Sequence, residues 1–135
     1  MSHYSELKDG AVFSRELAVT PELMSAFRSI SGDDNRLHTD DSFARSLGFQ
    51  GRVAYGNLIA LLISSVIGVE MKHMNAMLVS ETITFRKPVY CGDVVTLRAK
   101  VAARLDAAEA AELKYRVENQ LPDLVASGTI QVKFL

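Results

Sequence analysis

The chain has 135 residues, 48% of them apolar and 23% charged, and 15 Lys and Arg against 16 Asp and Glu leave a net charge of −1. That profile excludes an intrinsically disordered chain and, with 8 Gly and 3 Pro, a collagen-like or low-complexity one. No basic excess draws it onto nucleic acid or an anionic membrane, and the length fits one domain spanning residues 1–135.

Ala11 to Val19 reads as a strand with imperfect alternation. Thr20-Pro21-Glu22 then signals a helix start: a hydroxyl cap, a proline in the first turn, and an acid at the positive end of the dipole. Leu23, Phe27 and Ile30 follow as a helical stripe expected to bury one face, and Gly32 ends it where a left-handed residue is needed. A polar turn, Asp33 to Asp40, leads into a short amphipathic helix around Asp41 to Leu47, and Gly48 to Arg52 is a loop. Gly56-Asn57 opens the most apolar segment. Leu58 to Val69 has apolar residues on nearly every face and predicts a helix buried all round, yet it falls short of the ~20 residues a membrane span needs.

Four strand-like runs follow: Met77 to Phe85, Val94 to Val101, Ala111 to Val117, and Ile130 to Phe134. The last three alternate apolar and polar residues with period 2, the mark of antiparallel strands with one dry and one wet face. Turn signals at Lys87-Pro88, Gly92-Asp93, Asp106 to Glu109 and Asn119 to Asp123 separate them. The order predicts an α+β fold, a curved antiparallel sheet around one long central helix.

Most of the chemical potential sits in the polar turn. Asp33 and His38 are five residues apart, where a carboxylate and an imidazole can share a water and move its protons. On spacing alone a structural reading is the stronger: Gly32 caps a helix, the acids satisfy loop amides, and His38 is an ordinary histidine. Tyr55-Gly56-Asn57 precedes the apolar helix, whose first free N–H groups suit a carbonyl oxygen gaining charge, although any helix start offers the same. Ser64 and Ser65 are hydroxyls inside that helix; each either bonds a carbonyl one turn back or faces a cavity.

Metal binding by Asp33, Asp34, His38, Asp40 and Asp41 has little support, since neither an EF-hand spacing nor His-x-x-x-His occurs. His3, in an end expected to fray, and His73 read as surface residues. Cys91 is the lone cysteine, so it forms no intrachain disulfide and no Cys-based zinc site. With no basic-then-apolar leader at the start, a reducing cytoplasm is the expected location. Gly-x-Ser-x-Gly, P-loop and Gly-x-Gly-x-x-Gly patterns are all missing.

Phe27-Arg28-Ser29-Ile30-Ser31-Gly32-Asp33-Asp34-Asn35-Arg36-Leu37-His38, followed by Phe43-Ala44, resembles the hydratase-2 motif of the MaoC-like, (R)-specific enoyl-CoA hydratases. Val53-Ala54-Tyr55-Gly56-Asn57-Leu58 and Phe85-Arg86-Lys87-Pro88-Val89-Tyr90-Cys91-Gly92-Asp93 resemble that family's second and third blocks, in order and spacing. The resemblance implies a hot-dog fold and a homodimer, with larger assemblies in some relatives. It implies that Asp33 and His38 activate the water added to carbon 3 of a trans-2-enoyl thioester, or removed in the reverse dehydration. Asn35 would fix the turn, and the N–H of Gly56, with Asn57, would polarise the thioester carbonyl. Ser64 aligns with a helix serine near the family's active site. No metal or redox cofactor is implied; coenzyme A or acyl carrier protein supplies the acyl group.

Two positions depart from the family pattern. Arg36 stands for the motif's proline, a cation free to pair with Asp34 or Asp40 or to reach a carrier phosphate. Tyr55 stands for the histidine before the helix glycine and would change one wall of the pocket. These departures keep in view an acyl-binding accessory protein without turnover, and a carboxylate-activated water aimed at carbon 1 keeps a hot-dog acyl-CoA thioesterase as a second alternative.

Overall fold

In the computed structural model, which describes residues 2–135, the local signals at the start of the chain act as their chemistry requires. Strand β1 (Val12–Ala18) is followed two residues on by Thr20, whose Oγ1 accepts the Leu23 N–H at 3.1 Å and caps helix α1 (Pro21–Ser31). Gly32 closes the helix at φ 72°, a left-handed conformation that costs glycine little. Two short helices follow, α2 (Arg36–Thr39) and α3 (Asp41–Ser46), and then the long apolar helix α4 (Gly56–Ser65), continued by five residues of π-helical geometry over Val66–Glu70.

The remaining strands are β2 (Ala76–Glu81), β3 (Thr84–Phe85), β4 (Val94–Leu105), β5 (Ala110–Glu118) and β6 (Leu124–Phe134). All pairings are antiparallel, in the order β1-β4-β5-β6-β2, with β3 also on β6. Alternate residues of the meander, among them Val95, Leu97, Leu113, Val117, Ile130 and Val132, are buried in the same core as Leu58, Ile59, Leu62 and Ile63 of α4. The sheet thus covers the helix with its dry face, as its period-2 patterning predicts.

Several expectations need correction. The run Met77 to Phe85 is two strands, because the pairing of β2 with β6 slips between Leu78 and Ser80 and the chain leaves the ladder at Thr82-Ile83. That break is built around Gly128: a Cβ there would lie 2.0 Å from the Thr82 carbonyl oxygen, which accepts the Tyr115 hydroxyl at 2.6 Å. Strand β6 also begins six residues earlier than Ile130, where its small residues leave the alternation unreadable. Ile30 is 87% exposed, since α1 buries Met24 fully and Leu23 and Phe27 in part, and its last turn runs past the covered surface. Helix α4 and its π-helical continuation are not enclosed: Asn57, Ser64 and Gly68 are exposed along one side, which no element among the described residues covers. Nor is the segment around His3 loose, because Tyr4 and Leu7 are buried and His3 bonds Glu6 at 2.7 Å. Among the described residues no helix is long and apolar enough to cross a membrane.

Candidate active site

Asp33, Asn35, Asp40 and Arg36 fix the path from α1 into α3. Asp33 Oδ1 accepts the Asn35 N–H at 3.0 Å, and Asn35 Oδ1 accepts the Leu37 N–H at 3.0 Å, so the turn that reads as a loop in sequence winds into α2 with Asn35 as its cap. Asp40 repeats the device one helix later, accepting the Phe43 N–H at 3.0 Å. That bond, and then Arg36, hold the Asp40 carboxyl below the usual carboxylate range. Arg36 itself lies 3.1 Å from Asp40 and 4.3 Å from the centre of the Phe43 ring, while Asp34 is paired with Arg28. The cation in the proline's place is therefore a strut between α2 and α3.

His38 points its Nδ1 at the Val53 carbonyl oxygen, 2.7 Å away. A carbonyl only accepts, so Nδ1 carries the proton and the neutral ring keeps its lone pair on Nε2. The segment that supplies this carbonyl is pinned by Val53 N–H to Leu37 O at 3.0 Å and by Ala54 N–H to Val89 O at 2.7 Å. Tyr55 comes next and is 2% exposed. Its hydroxyl donates to the main-chain oxygen of Asp33 at 2.9 Å, and its ring lies 4.3 Å from the His38 ring. Asp33 and His38, separate in sequence from Tyr55, are thus brought to the two ends of one side chain.

Gly56 starts α4, and neither its N–H nor that of Asn57 has a hydrogen-bond partner among the described residues, leaving two donors at the positive end of the helix. The Phe85 ring lies over the Gly56 Cα: a Cβ there would sit 2.8 Å from Phe85 Cζ, so only glycine leaves that approach open. A cavity of about 380 Å³ lies against these groups, lined by His38, Val53, Gly56, Ile59, Phe85 and Val125 among others, with the exposed Arg86 and Lys87 bordering it. It is largely apolar with one imidazole, the character of a site for an acyl chain beside a proton-transfer group.

Not every candidate residue lies on this cavity. Asp33 is half-buried and is not one of its lining residues, and Asn57 and Ser64 are exposed on the open side of α4. Tyr55 is no wall of the cavity; it stands behind the pair. Phe85, Phe49 and Val125 line it without having been singled out, and the Phe85 block in the sequence was the one signal that pointed there. Among the described residues no group of three or more His, Cys, Asp and Glu side chains is gathered to hold a metal ion.

Comparison with known proteins bears on the fold that carries these residues. The (R)-specific enoyl-CoA hydratase of Aeromonas caviae is 31% identical over 110 residues, 82% of this chain and 82% of that protein. The 3-hydroxybutyryl-CoA dehydratase of Methylorubrum extorquens is 32% identical over 100 residues, 74% of this chain and 64% of the relative. The solved structure of the A. caviae (R)-hydratase involved in PHA biosynthesis matches with a TM-score of 0.90 at 28% identity, covering 96% of this chain and 98% of that one. The α+β architecture with its central helix is accordingly a hot-dog fold. Residues 4–121 match the family described as MaoC like domain, and the chain belongs to that family.

Proposed function

We propose that this protein is a hydro-lyase that adds water to trans-2-enoyl thioesters of coenzyme A or acyl carrier protein, giving (R)-3-hydroxyacyl thioesters, or runs the reverse dehydration. The observation that supports it best is the juxtaposition of His38 and Gly56 on one apolar cavity, with Nδ1 of His38 tied to Val53 and Nε2 left basic. The acyl chain enters the cavity and the thioester oxygen meets the N–H of Gly56, with that of Asn57 beside it. His38 and the Asp33 carboxylate hold one water, and Nε2 takes its proton as the hydroxyl oxygen bonds to carbon 3. Negative charge moves to the thioester oxygen, where the two N–H donors at the helix end stabilise it. Protonation of carbon 2 by the imidazolium completes the addition of one water across the double bond. The family's names for its relatives, an enoyl-CoA hydratase and a 3-hydroxybutyryl-CoA dehydratase, describe the two directions of this reaction.

In this reading the enzyme needs no metal or redox cofactor, works in the cytoplasm, where the free Cys91 stays reduced, and acts as a homodimer. The dimer has a physical motive. Strand β2 is an edge of the sheet and exposes Met77, Leu78 and Val79 in succession, an unpaired apolar edge that a second copy would cover.

The test is loss of enoyl-thioester absorbance with crotonyl-CoA and a longer trans-2-enoyl-CoA, on a preparation whose sedimentation is measured alongside and should return a dimer. Asp33→Asn and His38→Ala should each lower turnover by ~10²–10⁴ while leaving the unfolding midpoint nearly unchanged. Hydrolysis to free acid and coenzyme A instead would identify a thioesterase, and near wild-type rates in either variant would remove the mechanism.

A further inference from the structure

Tyr55 is buried, does not line the cavity, and contacts both Asp33 and His38 in ways that nothing in the reaction chemistry requires. Its hydroxyl donates to the Asp33 main-chain oxygen at 2.9 Å; its ring lies 4.3 Å from that of His38, tilted by 32°, with Phe27 4.7 Å away. We infer that Tyr55 is a positioning residue that sets the Asp33 turn and the His38 ring in one geometry, an inference that rests on reading those two as the water-activating pair.

The logic is one of constraint. His38 is anchored at Nδ1 alone, and a single hydrogen bond leaves an imidazole free to swing about it. A ring packed against its face removes that freedom. Asp33 presents its carboxylate from a turn that the Asn35 N–H and the Ser31 hydroxyl hold locally, at 3.0 and 3.1 Å, but these bonds tie the turn only to itself. The Tyr55 hydroxyl ties the Asp33 end of the turn to the segment leading into α4, which Leu37 and His38 meet at Val53 from the other end. Because Val53 O, Tyr55 and the N–H of Gly56 follow one another in the chain, four consecutive residues set imidazole, carboxylate turn and carbonyl site together. Burial, and then the charge of Asp33, raise the Tyr55 pKa, which keeps the phenol a neutral donor.

The two contacts separate by substitution. Tyr55→Phe keeps the ring and deletes the donor; Tyr55→Leu deletes both. For Tyr55→Phe the expected result is a kcat lower by roughly fivefold to tenfold at unchanged KM, with the Asn35 amide exchanging faster by a similar factor. The amides of Leu97 and Leu113 should exchange as in the wild type, and the His38 ring signals should not move. Tyr55→Leu should in addition displace the His38 ring proton signals, as the aromatic neighbour is lost. Wild-type kcat together with wild-type Asn35 exchange in Tyr55→Phe would overturn the inference. A wild-type protein inactive on every enoyl thioester would instead overturn the proposed reaction, while Asn35 exchange and the His38 signals still decide what Tyr55 does.

Discussion

The meander β4–β6 and the segment from Asp33 to Gly56 are held by opposite means. In the meander alternate side chains from Val95 to Val101, Ala111 to Val117 and Ile130 to Phe134 are sealed in the core, and long antiparallel ladders, each with one register shift, pair β4 with β5 and β5 with β6. In the segment only Ala44, Ala54 and Tyr55 are buried, and the chain is held by side chains that bond main-chain groups: Asn35 on Leu37, Asp40 on Phe43, Asp41 on Arg52, Tyr55 on Asp33, and His38 on Val53. Burial is collective and tolerant of any one loss on the wet face; a net of single hydrogen bonds fixes angles, with each bond worth only about 1 kcal/mol. The scaffold is thus built for stability and the site for orientation.

The difference predicts effects that should not mix. Leu113→Ala, at a position with no exposure in β5, should cost about 2–5 kcal/mol in urea unfolding yet leave turnover per folded molecule unchanged. A large loss of turnover would mean that core and site are one unit. Gly56→Ala asks the reverse question. The new methyl meets the Phe85 ring, which is 51% exposed and can swing aside, so the stability cost should lie near the low end of the ~1–3 kcal/mol for an overfilled site. The larger change should be in KM for the enoyl thioester, because the displaced ring lines the cavity, and Phe85→Leu added to Gly56→Ala should reverse it.

The smallest effect concerns acid. Asp40 has its carboxyl lowered by the Phe43 N–H and then by Arg36, so the unfolded chain takes up that proton first. The contribution of Asp40 is therefore complete above the ordinary carboxylate range and fades as pH falls from roughly pH 5 through the lowered folded value. Asp40→Asn keeps a cap on α3 and should flatten this part of the unfolding midpoint against pH, while the response to pH of a core variant such as Leu113→Ala stays that of the wild type.

How far the fold could be read from sequence follows the same division. Thr20, Pro21 and Gly32 act on their nearest neighbours, so the ends of α1 were legible, and so was the dry face of β5 and of β4 as far as Val101, where alternation is unbroken. Asn35 was read within a loop because a helix of four residues leaves no periodicity to detect. Apolar residues around α4 suggested complete burial, but composition does not say how much of a helix one sheet can cover, and Ser64 lies on the side left open. Asp33, His38 and Gly56 stood out as candidates through the resemblance of their motif blocks to the family's, since on spacing alone the structural reading is the stronger. The part played by Tyr55 could not, since a phenol reaching a carbonyl 22 residues back is a fact of three dimensions alone.

One feature of the sheet bears on the cavity from a distance. Gly128 has no side chain, the Thr82 carbonyl occupies that space, and the chain turns there toward β3 and Phe85. The cavity wall at Phe85 therefore begins with a residue on the neighbouring strand that does not line the cavity. Anyone reshaping this protein to accept a bulkier acyl group by randomising its cavity-lining positions would pass over the glycine that decides where one of those walls starts.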